Sequence, residues 1–230
     1  MSTLLLRLSG PLQSWGDSSR FTRRATRSEP TKSGILGLLA AAQGRRRTDP
    51  IEDLAQLRFG VRIDQRGRLI RDFHTAHSHE GVPMPLSQRY YLADATFLAG
   101  VEGDGSLIEA LAQALRSPRF PLFLGRRACT PSEPVFYDVV DGDLISCLRS
   151  VDWLASPWYR RQQAKTVDLE LVVDAGTGEG GSESVRDVPV AFDPRQREWA
   201  WRDVVRPTPV HVVNPEGKYC MDFLGALGGH

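Results

Sequence analysis

The spacing of apolar residues predicts the elements of this chain. Residues 3–9 alternate imperfectly and carry Leu4, Leu5, Leu6 and Leu8, the pattern of a buried first strand that Gly10-Pro11 is expected to end. Residues 13–29 are polar and basic with no period, so they read as a long loop. A helix follows Pro30. Thr31 is placed to cap it, Ile35, Leu38, Leu39 and Ala42 share one stripe, and Gly44 is placed for its C-terminal cap. A shorter helix is expected over residues 50–57, with Pro50 in its first turn. Residues 59–64 and 69–73, joined by a turn containing Gly67, have the pattern of a hairpin.

Residues 74–88 carry three His, two Pro and one Gly without periodicity, as an excursion from a sheet would. A strand is expected over 90–101, a helix over 106–116 with Leu107, Leu111 and Leu115 on one face and Asp104 or Ser106 as cap, and a short buried strand over 122–125. That order is βαββαβ, so the predicted class is α+β. The arrangement is ferredoxin-like, as in RNA-recognition (RRM-like) modules, with a thumb-like insertion at about residues 65–90. Past Gly125, prolines punctuate short β-type runs, of which 167–173 and 211–213 are the clearest, and residues 174–184 form a loop too poor in apolar groups to pack. Two units are therefore expected, 1–125 and a small β-rich subdomain at 126–230.

Composition narrows the class. A chain of 230 residues can bury roughly 70% of its unfolded surface without help from a metal or disulfide. Its longest apolar run, residues 35–42, is interrupted by Gly37 and falls far short of the roughly 20 residues of a membrane span. Arg7 breaks the leading leucines, so no signal peptide is expected and the chain reads as cytoplasmic. Cys129, Cys147 and Cys220 are widely spaced and odd in number, which predicts reduced thiols. The formal net charge of +1 conceals a split: residues 1–47 hold nine basic and two acidic residues. A basic surface concentrated at one end is the footprint of an anionic partner.

Five separated segments carry a resemblance: LSGPLQSWG at 8–16, PTKSGILGLLAAA at 30–42, DFHTA at 72–76, LSQRYYL at 86–92 and FLGRRAC at 123–129. Together they resemble the CasD family, the type I-E Cascade subunits of CRISPR systems within the repeat-associated mysterious protein (RAMP) superfamily. The match is clear to about residue 137. The resemblance implies a ferredoxin-like domain with a thumb-like insertion and a small C-terminal domain. It implies a non-catalytic RNA-binding subunit that caps the 5′ handle of the CRISPR RNA in antiviral defence, and it implies no cofactor. The implied partners are that RNA, the backbone RAMP subunits and the large subunit, with target DNA met indirectly through the complex.

The residues themselves offer a site. Lys32 and Ser33 sit at a helix N-terminus, where free N–H groups and a cation suit a phosphate oxygen; the alternative is a bland exposed cap. The glycines of a nucleotide-binding loop are missing around Lys32, which disfavours ATP. Gln13 and Ser14 have no evident core duty and are expected to touch RNA, while Trp15 would either stack an unpaired base or pack on the sheet edge. Arg24 and Arg27, in the basic loop, are candidate phosphate grips. Arg126 and Arg127 leave the last expected strand beside Gly125, where two guanidiniums can bracket successive phosphates. The run Arg45-Arg46-Arg47 reads as a solvated helix end. Arg89 and His74 flank the excursion and are expected contacts. The cluster His74, His77 and His79 lacks a fourth ligand, so no metal is expected. A histidine beside a cation could instead serve a metal-independent endoribonuclease, the rival class.

Overall fold

The computed structural model describes residues 1–16, 22–176, 181–193, 195 and 198–218. Its centre is β5 (Ser87–Gly103), 17 residues long. One edge of β5 pairs antiparallel with β1 (Ser2–Gln13) along almost its whole length. The other edge takes two strands in succession: β3 (Arg58–Gln65) against Glu102 through Thr96, then β4 (Arg68–His74) against Ala93 through Ser87. This corrects the expected hairpin between residues 59–64 and 69–73. The two strands are consecutive along one edge of β5, and the true hairpin is β4 with the first half of β5, closed by residues 75–86. Every residue of β4 except His74 is exposed, so this ribbon stands clear of the core.

β1 also runs through Gly10-Pro11, which was expected to stop it. The strand tolerates Pro11 because its outer partner, β6 (Phe136–Asp141), pairs only with Ser2 through Leu6, and Pro11 lies beyond that on an unpaired edge. β6, rather than residues 122–125, is the strand beside β1. Residues 122–125 are irregular: Leu124 is fully buried, as its apolar character implies, but Gly125 at φ 92° turns the chain away.

Among the described residues the main sheet has nine strands, in the order β6-β1-β5-β3-β8-β10-β9, where β8 is Leu171–Asp174, β10 is Glu198–Val205 and β9 is Glu183–Ala191; β2 (Arg23–Arg24) and β4 attach to β5. The pairings are antiparallel except for β2, so the molecule is a mixed α/β protein built on one large antiparallel sheet with few helices. The sheet runs without interruption across the expected 125/126 boundary. The expected strand 167–173 is two: β7 (Thr166–Leu169) pairs with β11 (Val210–Val213) in a separate ribbon, and β8 joins the main sheet.

Both faces of the sheet are covered, which explains why Leu4, Leu5 and Leu6 are all fully buried. Leu4 and Leu6 join the core under α1 (Lys32–Gln43) and α3 (Gly105–Arg116); Leu5 packs on the other face against Leu144 and Leu148 of α4 (Leu144–Ser150). The expected helix at 50–57 is the single turn α2 (Glu52–Ala55), and a second short turn is α5 (Pro157–Arg160). No helix among the described residues is long and apolar enough to cross a membrane.

Candidate nucleic-acid interface

α1 is defined by local chemistry. The Thr31 hydroxyl accepts from the Gly34 N–H at 3.2 Å. At the other end Gly44 takes φ 81°, and the N–H groups of Gly44 and Arg45 return to the carbonyls of Ala41 and Ala40. The segment after α3 is laid along the end of this helix, with Arg119 N–H donating to Ala42 O and Phe120 N–H to Ala41 O. Between them lies a cleft of ≈ 1020 Å³. Its floor is the small-residue side of α1, with Ser33, Gly34, Gly37, Ala40 and Ala41; Phe120, Phe123 and Gly125 border it from the segment after α3, and Phe192 and Trp199 from β9–β10. Arg24, Arg45, Arg46, Arg47, Arg126 and Arg127 line it as well, and none of the described residues lining it is Asp or Glu. Six arginines in a lining that holds no acidic residue suit a polyanion, although Arg45 is already paired with Asp53 outside it.

These arginines differ in freedom. Arg45 is held by two bonds to Asp53 and one to Pro50 O. Arg126 is aimed by its own contacts: Nη1 donates to Tyr90 O at 3.1 Å, Nη2 to Arg24 O at 2.9 Å, and the guanidinium lies 4.7 Å from the Tyr91 ring centre. Arg46, Arg47 and Arg127 are exposed, and their guanidiniums have no partner among the described residues. Arg46 and Arg47 follow the C-terminus of α1, where the helix dipole favours a cation; their place on the cleft was invisible in sequence because Phe120, Phe123, Phe192 and Trp199, which close it, are 70 or more residues away.

Several expected contacts have structural duties instead. Gln13 is fully buried: Nε2 donates to Leu8 O and Ala95 O, and Oε1 accepts from the Trp15 indole at 3.0 Å. It ties the end of β1, which corrects its expected availability to RNA. Trp15 is fully buried against α1, so the packing alternative holds for it: a Cβ on Gly34 would lie 2.8 Å from its ring. Ser14 is 3% exposed and donates to Tyr90 O, although it borders the cleft. Lys32 is buried, and its ammonium meets Asp174 at 2.9 Å while its backbone N–H donates to Asp187. The helix N-terminus already holds a carboxylate, which corrects the expected phosphate site at Lys32. Ser33 borders the cleft from α1. Arg27 pairs with Glu183 at 3.0 Å and lies near Glu29. Arg24 borders the cleft from β2.

The remaining two lie on the β4–β5 ribbon. His74 is 2.7 Å from Asp72, and Arg89 stands in register with Asp72 on one side and Arg24 on the other. Among the described residues no group of three or more His, Cys, Asp or Glu is arranged to hold a metal ion. Cys129 and Cys147 are free and buried, and burial pushes both thiols above their ordinary pKa; Cys220 lies outside the described residues.

An arginine-lined cleft beside a β-sheet is the electrostatic footprint of a protein that binds an anionic partner such as a nucleic acid. The family model described as CRISPR-associated protein (Cas_Cas5) matches residues 3–205, and the chain belongs to this Cas5 family. It is 32% identical over 225 aligned positions to the CRISPR system Cascade subunit CasD of Escherichia coli (strain K12), spanning 86% of this chain and 94% of that one. Two solved structures are similar across nearly their full length. One, a crystal structure of a Cas protein, has a TM-score of 0.71 at 39% identity and covers 95% of this chain and 98% of its own. The other, from a CRISPR RNA-guided surveillance complex, has a TM-score of 0.74 at 30% identity and covers 98% and 97%.

Proposed function

We propose that this chain is the Cascade subunit that caps the 5′ handle of a CRISPR RNA, acting in the cytoplasm as a binding protein rather than an enzyme. The observation that carries the reading is the cleft: six arginines in its lining, one of them paired with Asp53, no acidic residue among the described lining residues, and aromatic rings beside them. Single-stranded RNA matches that chemistry, because guanidiniums grip its phosphates and its unpaired bases are open to stacking. The likeness to CasD of Escherichia coli and to a chain of an RNA-guided surveillance complex supports the assignment. The partners proposed with it are the backbone and large subunits of the complex, and target DNA reached through them.

The sheet order supports a ferredoxin-like reading of the first unit, since β6-β1-β5-β3 is the 4-1-3-2 order of a βαββαβ module. On this reading the first unit extends to Asp141, the β4–β5 ribbon is the thumb-like insertion, and the later strands enlarge the sheet. The ribonuclease reading is not adopted, because His74 and His77 lie on the ribbon and neither lines the cleft.

The test is fluorescence anisotropy of the full chain with labelled, processed CRISPR RNA across a salt series, with and without chelator, followed by a denaturing gel. The triple variant Arg46→Ala, Arg47→Ala, Arg127→Ala should bind at least about tenfold more weakly and show a salt slope shallower by about two, at roughly 0.7 for each phosphate no longer neutralised. RNA should remain intact in every lane. An unchanged slope would remove these arginines from the site, and cleavage would restore the rival.

A further inference from the structure

The arginines account for phosphates but leave the aromatic lining of the cleft unexplained. Phe192 and Trp199 border it from β9–β10, more than 60 residues beyond the last cationic lining residue. Both are only partly buried, so their rings are not consumed by the core. Trp199 stands in register with buried Pro189, which turns it to the inner side of the ladder. Phe192 lies over α1 at Gly37, where a Cβ would be an ordinary 3.5 Å from its Cζ. The absence of a side chain at Gly37 leaves a step in the floor beside that ring. An apolar ring that lines the same cleft as these cations accepts a nucleobase and not a phosphate.

We infer that Phe192 and Trp199 form a stacking platform for an unpaired base of the bound RNA, an inference that rests on the RNA reading of the cleft. The arginines then fix the backbone of the nucleotide while the rings hold its base. Stacking tolerates any base but requires one, and it adds affinity without adding an ionic contact. The platform also gives the late strands a direct part in binding.

The experiment is anisotropy with the full chain, comparing wild type, Trp199→Ala, Trp199→Phe and Phe192→Ala on the handle RNA and on a set of RNAs with one abasic position each. Trp199→Ala and Phe192→Ala should each weaken binding about tenfold while leaving the salt slope unchanged. Trp199→Phe should stay within about twofold of wild type, since a ring remains. One abasic position should weaken the wild type by a similar factor and add nothing to the loss in Trp199→Ala. Wild-type affinity in both alanine variants would overturn the platform while leaving the arginine-dependent RNA site standing, as would a loss in Trp199→Phe equal to that in Trp199→Ala. A changed salt slope in Trp199→Ala would overturn it too, by showing that the cleft had rearranged. Failure of the wild type to bind RNA at low salt would sink the RNA reading, and the platform with it.

Discussion

At Gly125 the backbone takes φ 92°, and a Cβ there would stand 1.8 Å from the carbonyl oxygen of Ser14. The clash is backbone on backbone, so no rotamer change relieves it. It occurs where two segments of the site are bound together, with Ser14 N–H donating to Leu124 O at 3.1 Å. Gly125→Ala should therefore cost about 3 kcal/mol or more, combining left-handed strain with a forced shift of the strand end. Gly81 has a similar φ of 80° but nothing within 4 Å of its absent Cβ, so Gly81→Ala should cost only about 1–2 kcal/mol of local strain. Urea midpoints at constant slope would check the pair, and equal losses would show that the Ser14 carbonyl gives way. The same comparison explains which residues were legible. For Trp15 the sequence leaves stacking and packing both open because its true neighbour, Gly34, is 19 positions away, and Gln13 looks idle because its acceptor at Ala95 is on another strand. Arg126 and Arg127 follow Gly125 directly, so both the turn and the charge that they bring to the cleft are local in sequence.

Helix α1 was readable to the residue because its determinants are its own: the Thr31 and Gly44 caps and an apolar stripe need no distant partner. Strand pairing was not, since β3 and β4 compete for the same neighbour and only the length of β5 lets both succeed. What fixes α1 to the late strands is also invisible in sequence. Asp187 accepts from Lys32 N–H and from two nitrogens of Arg202, and Asp174 accepts from Lys32 Nζ, Phe59 N–H and Arg202 Nη1. Burial by itself would lower the Arg202 pKa, but the hydrogen bonds and charges of Asp187 and Asp174 outweigh it and the net shift is upward. Two cations and two carboxylates are thus neutralised inside the protein, at the junction that holds the cleft floor against the strands bearing Trp199. Asp187→Ala removes two of the bonds of the buried Arg202 guanidinium, leaving it only Asp174, and leaves the buried Lys32 N–H without its acceptor, so it should cost about 3–5 kcal/mol. Glu216→Ala breaks the exposed pair with Arg161 and should change stability by less than about 1 kcal/mol. Chemical denaturation of both variants tests the contrast, and similar losses would mean that the buried cluster is replaceable by water.

On the scale of the whole molecule, the main sheet presents two surfaces of opposite character. The cleft is basic, with aromatic rings in its lining, whereas the β4–β5 ribbon projects outward with Leu69, Phe73, Val82, Met84 and Leu86 all 48% or more exposed. Exposed apolar groups on one ribbon are unusual for a surface that stays in water. Under the proposed function the ribbon meets neighbouring subunits and RNA in the assembled complex, and the cleft meets the handle. The two roles separate physically, because residues 75–86 contribute no fully buried side chain and β4 buries none either. Replacing residues 75–86 by Asn-Gly, a two-residue turn suited to an antiparallel pair, should leave the unfolding midpoint within a few degrees of wild type. Anisotropy on handle RNA should change by less than about threefold, since the cleft is intact, while co-purification with the other subunits of the complex should fall sharply. Loss of RNA affinity without loss of assembly would reverse the assignment, placing the RNA on the ribbon and the partner in the cleft. A ribbon that docks only after the cleft is filled would further make assembly depend on RNA, so the shortened variant should still protect the handle from nuclease as a binary complex while failing to recruit the backbone subunits.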